Sequence, residues 1–174
     1  MGRRKVSRQN IHCEHNGESP KDPYHYTECG LDDVYLLSGY DKDVSEYGET
    51  VSVRHADELH KEIGKFLVEN KKILNGKELR FLRKEMDLTQ AELGKLLGLT
   101  DQAVARWEKD KTDITGPADY LIRVLFANHV GLLGKGLDIR LLLTALEERD
   151  AMRDDSKKMF EQNKDGWQPT ELAA

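Results

Sequence analysis

Gln102, Arg106 and Lys109 are spaced by four and three residues, so in a helix they share one face. A glutamine amide matches adenine at its N6 and N7, and an arginine fork matches guanine at O6 and N7. Val104 and Trp107 fall on the other side of the same helix and would form its buried stripe. A short helix that is apolar inward and carries Gln, Arg and Lys outward suits a DNA major groove. The plain alternative is the wet face of a helix in an ordinary bundle.

A second group of chemically capable residues lies in the front half. Cys13, His15, His25 and Cys29 are zinc-competent types, and His12, His55 and His60 widen the choice. A structural zinc wants four ligands in a closed tetrahedron. The spacing does not supply the paired cysteines usual for such a site. The expectation is a metal-free domain, with solvated histidines and Cys29 as a small apolar residue. Cys29 with His25, or Asp32 with Asp33, could be cast as catalytic. No nucleophile elbow, phosphate loop or metal-base helix accompanies them, so no catalytic site is expected.

Several elements must position these residues. Residues 1–23 are polar and basic, with Gly17, Pro20 and Pro23, and read as a loose arm. Tyr24-His25-Tyr26-Thr27, Val34-Tyr35-Leu36-Leu37 and Thr50-Val51-Ser52-Val53 have strand composition and suggest one small sheet. Leu59, Ile63, Phe66 and Leu67 give a helical stripe from about Ala56 to Glu69. Asn70-Lys71-Lys72 reads as a hinge.

Helices then follow closely. Asn75 with Glu78 can cap one, along which Leu79, Leu82 and Met86 form a stripe. Thr89-Gln90-Ala91-Glu92 is a capping box opening the next, in which Leu93, Leu96 and Leu97 face inward and which Gly98 ends. Thr100 caps the helix of Gln102 and Arg106. Thr115 or Gly116, then Pro117, open a fourth, with Leu121, Val124 and Leu125 as its stripe. A fifth is expected from about Leu137 to Ala151, and the last twenty or so residues should fray. Two short helices joined by a tight glycine turn are a helix-turn-helix unit.

The 174-residue chain carries a net charge of −5, which argues against indiscriminate coating of nucleic acid. Residues 31–62 hold nine acids and three bases, whereas 76–111 hold eight bases and seven acids. Attraction to phosphate would rest on where those bases point. No run approaches the roughly 20 apolar residues of a membrane span, and no apolar run follows the basic start. Two cysteines are consistent with a reducing cytoplasm.

The run Leu88-Thr89-Gln90-Ala91-Glu92-Leu93-Gly94, with Leu97-Gly98-Leu99-Thr100 and Val104-Ala105-Arg106-Trp107-Glu108, resembles the lambda-repressor-like helix-turn-helix family. Within its Cro/C1-type regulators it is most similar to MqsA-type antitoxins. The resemblance covers about 55 residues. It implies that Gln90 contacts phosphate, that Gln102 and Arg106 read bases, and that Arg83 pairs with Glu108 behind Trp107. Thr100, Asp101, Ala103, Lys109 and Lys111 would flank the reading positions or meet phosphates. Two departures stand out. Asp101 would repel phosphate unless it accepts from a cytosine amine. Gly94 replaces a usual alanine, at some cost in helix stability. The segment from Tyr24 to Gly39 resembles the strand region of the MqsA-type zinc domain, which carries two Cys-x-x-Cys pairs. This chain has none, so the resemblance implies a domain that has lost its metal.

The expected fold is α+β: a small β-containing domain over 24–72, an all-α five-helix reading domain over 73–152, and a polar tail over 153–174. The expected function is a cytoplasmic, non-enzymatic transcription regulator, a repressor, that binds an inverted repeat in double-stranded DNA as a homodimer. The fourth helix carries Leu121, Ile122, Val124, Leu125 and Phe126, and the fifth Leu141, Leu142 and Leu143, more than one small core needs. Leu121, Leu125, Leu142 and Leu143 are therefore the expected dimer interface. The alternatives are an antitoxin partnered by a toxin protein, and a helical interaction module that does not bind DNA.

Overall fold

A computed structural model describes residues 23–45, 48–133, 144 and 157–170. The chain is α+β, as its pattern suggests. Four short strands come first: β1 (Tyr24–His25), β2 (Val34–Leu36), β3 (Tyr40–Ser45) and β4 (Gly48–Val53). Five helices follow: α1 (Ala56–Asn70), α2 (Gly76–Glu85), α3 (Gln90–Leu97), α4 (Asp101–Trp107) and α5 (Gly116–His129). Strands β5 (Lys158–Asn163) and β6 (Gly166–Thr170) complete the described fold. The expected arm over 1–22 and the helix over 137–151, with Leu142 and Leu143, lie outside the described residues apart from Thr144.

The three expected front strands do not form one sheet. β1 and β2 pair with the end of the chain in a four-stranded sheet of order β1-β2-β5-β6, while β4 pairs with β3 in a separate hairpin. β2 runs parallel to β5, with Val34, Tyr35 and Leu36 opposite Lys158, Met159 and Phe160.

Residues 158–170 therefore do not fray. Lys158, Met159, Phe160 and Trp167 are buried. The segment reads as polar because one of its buried residues is a lysine and most of residues 161–170 are half-buried or exposed. The overlooked signal is Asp165-Gly166, where the two-residue connection Lys164-Asp165 meets the first residue of β6. Asp165 N donates to Asn163 Oδ1 at 2.8 Å, and Gly166 has φ of 110°. The indole N–H of Trp167 donates to Arg54 O at 2.9 Å.

One continuous core runs from Tyr26, Val34 and Leu36 through Leu59, Ile63 and Leu67 to Leu79, Leu93, Val104 and Trp107. Helix α1 joins the sheet to α2 and α5. It meets α5 at Gly64, where an added Cβ would lie 2.1 Å from the Phe126 ring. His60 Nε2 meets Tyr26 Oη at 2.9 Å and His60 Nδ1 meets Glu85 at 3.0 Å, tying the front loop to the end of α2.

The Asn70-Lys71-Lys72 segment is fastened rather than free. The fully buried Arg123 guanidinium donates to Leu67 O at 2.8 Å, Val68 O at 3.1 Å and Lys72 O at 3.5 Å. It also pairs with Asp119 at 2.7 Å, and Asp119 Oδ1 accepts from Leu74 N at 3.0 Å. This pair turns α5 over relative to the expected stripe. Ala118, Ile122, Phe126 and Ala127 face inward with Asp119 and Arg123, while Leu121 is 40% exposed and Val124 and Leu125 are half-buried.

Candidate nucleic-acid interface

Local signals build the reading unit. Asn75 and Thr89 each form a complete capping box, with Glu78 and Glu92 respectively. Hydrogen bonds from the Thr89 backbone and hydroxyl hold the Glu92 carboxyl below its usual range. Gly98 takes the left-handed conformation (φ 70°) that ends α3. Thr100 then caps α4 by accepting from Ala103 N at 3.2 Å. Gly94 earns its position through a close approach: an added Cβ would lie 2.9 Å from Leu99 O. The turn closes directly onto α3, so the propensity cost expected for Gly94 is offset by packing that an alanine would strain. Leu96, expected inward, is 52% exposed, while Leu93 is fully buried and Leu97 half-buried. An eight-residue helix has room for one narrow inner stripe, and Leu96 falls beside it.

Helix α4 has the two expected faces. Val104 and Trp107 are buried, at 0% and 6% exposure. Asp101, Gln102 and Arg106 are exposed, and so are Lys109 and Lys111 just beyond the helix. Ala103 and Ala105 are half-buried between the faces. Asp101 Oδ1 accepts from Gln102 N at 2.8 Å. Its charge therefore sits at the start of its own helix, where the helix dipole favours it.

Behind α4 lies a buried polar hub. Arg83 Nε donates to Glu108 Oε1 at 2.5 Å and Arg83 Nη2 to Glu108 Oε2 at 3.2 Å. Arg83 Nη1 donates to Leu88 O at 2.5 Å, which fixes the chain entering α3. Gln90 Nε2 joins the hub, donating to Glu108 Oε2 at 2.7 Å. The hub thus ties α2, α3 and the end of α4 together, and it holds part of the Gln90 amide within the protein.

Two contacts at the start of α2 escape sequence reading. Gly76 N donates to Asp110 Oδ1 at 2.8 Å, and Asp110 has φ of 50°. Glu78, only 1% exposed, pairs with Lys158 Nζ at 3.0 Å. Gly76 next to the cap was the one visible hint: an added Cβ there would lie 2.2 Å from Trp107 O.

The front-half candidates are engaged otherwise. His25 Nε2 meets Asp32 O at 2.6 Å, and the ring stacks on Tyr35 with centroids 4.7 Å apart. Cys29 Sγ donates to Tyr26 O at 3.4 Å, and burial pushes its thiol up to about 11. A thiol so raised is a poor nucleophile near neutral pH. Asp33 binds the Lys158 ammonium and Asp32 that of Lys77. Among the described residues no group of three or more His, Cys, Asp or Glu gathers in a way that could hold a metal. Cys13 and His15 lie outside the described residues.

Residues 79–117 match the helix-turn-helix family model. The match runs from α2 to the start of α5 and takes in the whole Arg83–Glu108 hub. That family model is the lambda-repressor-like, Cro/C1 type of the motif, a DNA-binding domain of transcription regulators. Neither the curated proteins nor the solved structures include a match to the chain. Among the described residues no helix is long and apolar enough to cross a membrane.

Proposed function

We propose that the chain is a cytoplasmic transcriptional repressor that binds an inverted-repeat operator as a homodimer. One observation carries the reading: α4 turns Gln102 and Arg106 outward while Val104, Trp107 and the Arg83–Glu108 hub hold it from behind. Gln102 would read adenine and Arg106 guanine. Thr100, Asp101, Ala103, Lys109 and Lys111 would lie along the flanks. Gln90 has a second amide hydrogen beside the one bound to Glu108, and that hydrogen is free to meet a phosphate at the start of α3.

Selection from a random duplex pool should yield a preferred sequence. On it, Gln102→Ala and Arg106→Ala should each weaken binding by about 1–3 kcal/mol. Melting should change little, since both side chains are exposed. Undiminished affinity in the double variant would remove these two residues from the reading face.

The proposed dimer would use α5. Its charged Asp119 and Arg123 are buried against each other, Leu121 is exposed, and half-buried Tyr120, Val124 and Leu125 pack on the edge of the core with part of their surface open. Leu142 and Leu143, the other expected interface residues, lie outside the described residues. Light scattering at micromolar concentration should give a dimer, and footprinting should give half-sites about 10 base pairs apart or a multiple of that. A monomer protecting one asymmetric half-site would defeat the two-fold arrangement.

The reading keeps the front domain metal-free. Elemental analysis of protein purified without added metal should find no stoichiometric zinc. A value near one per chain would return Cys13, His15, His25 and Cys29 to the position of ligand candidates. A second reading, an MqsA-type antitoxin that also represses its own operon, rests on the likeness of the Tyr24–Gly39 segment, where β1 and β2 occur. A toxin gene beside this one would favour it.

A further inference from the structure

The first turn of α2 sits on the end of the reading helix. Gly76 N is bound by Asp110, two residues past Glu108, and the Gly76 Cα lies close under the Trp107 carbonyl. Asn75 N is bound by Glu78 Oε2 at 3.0 Å, and Glu78 N by Asn75 Oδ1 at 2.9 Å. Two carboxylates, those of Asp110 and Glu78, thus share one helix start. Glu78 is almost wholly buried, and a buried carboxylate needs a cation.

That cation comes from the far end of the chain. Lys158 opens β5, is 1% exposed, and brings its ammonium to 3.0 Å from Glu78 Oε1. Lys71 stands farther off at 3.5 Å. Lys158 is itself fastened to the sheet: its N–H donates to Asp33 O at 2.8 Å and its ammonium also binds the Asp33 carboxylate. A continuous run of contacts therefore leads from β5 through Glu78 and the α2 cap to Asp110 and Trp107.

We propose that Lys158 is a positioning residue for DNA reading, which sets α4 through the buried Lys158–Glu78 pair at the start of α2. This rests on the DNA-reading assignment above. Lys158 is buried and cannot touch phosphate, so its effect should fall on sequence selection and leave general attraction to DNA alone. Losing the charge on either side would let the α2 cap relax, and Asp110 and the Trp107 carbonyl would move with it. Base contacts in a groove tolerate little such displacement.

The test uses the full chain and three variants: Lys158→Gln, Glu78→Gln and the double. Gln at position 78 can still close a capping box, so that variant should fold even where Lys158→Gln does not. Anisotropy is read on a duplex selected by the wild type and on a random duplex, well below the melting temperature of each variant. Each single change should weaken binding to the selected duplex about tenfold and leave the random duplex unchanged. The double should lose less than the sum of the two singles, since both remove the Lys158–Glu78 interaction. Folded variants with full selective affinity, or losses that add in the double, would overturn the inference. A wild type that selects no sequence would overturn the DNA reading itself, a result distinct from the first.

Discussion

Trp107→Ala should destabilise the reading unit by about 3–5 kcal/mol, the usual cost of truncating a buried aromatic. Trp107 is 6% exposed and belongs to the same core cluster as Leu79, Leu93 and Val104. Its carbonyl accepts from Asp110 N at 2.9 Å and covers Gly76. Truncation would leave a cavity beneath α4 at the point where α4 rests on α2. Calorimetry should show a fall of many degrees in melting temperature. DNA binding should fail with it, although no base contact has been removed. Burial can be checked directly. In a Trp167→Phe background, acrylamide should quench the Trp107 fluorescence weakly. Strong quenching, or melting unchanged in Trp107→Ala, would contradict this packing.

Arg123→Ala should be as costly, at about 3–5 kcal/mol, because it breaks a buried ion pair from one side. The guanidinium has no exposure and binds Asp119 together with the carbonyls of Leu67, Val68 and Lys72. Its removal leaves the Asp119 carboxylate buried without its cation and uncaps the end of α1. Arg123→Lys should recover only part of the loss, since one ammonium cannot reproduce a planar fork of donors. Urea unfolding of the two variants against the wild type measures both. Wild-type stability in Arg123→Ala would mean that the pair does not anchor α5.

What could be read from sequence was local. Both capping boxes, the Gly98 turn and the Thr100 cap depend on residues within a few positions of one another, and each occurs where its pattern suggests. The Arg83–Glu108 pair came from resemblance and is present. Choices made by distant contacts stayed hidden. The faces of α5 cannot be ranked by hydropathy, because Leu121 and Leu125 are as apolar as Ile122 and Phe126. The Asp119–Arg123 pair, drawn inward by the carbonyls of α1, decides which face is buried. Likewise β5 reads as polar because its opening Lys158 is buried by ionic partners, Asp33 and Glu78, far away in sequence.

Under the proposed function, α4 reads DNA sequence through Gln102 and Arg106. The most direct measurement is anisotropy of a labelled duplex, selected by the wild type from a random pool, titrated with wild type and with the Gln102→Ala/Arg106→Ala double variant. The wild type should bind tightly, with an affinity that falls steeply as salt rises, as phosphate contacts require. The double variant should remain folded but treat the selected and random duplexes alike. Equal preference for the selected duplex in both proteins would contradict this reading.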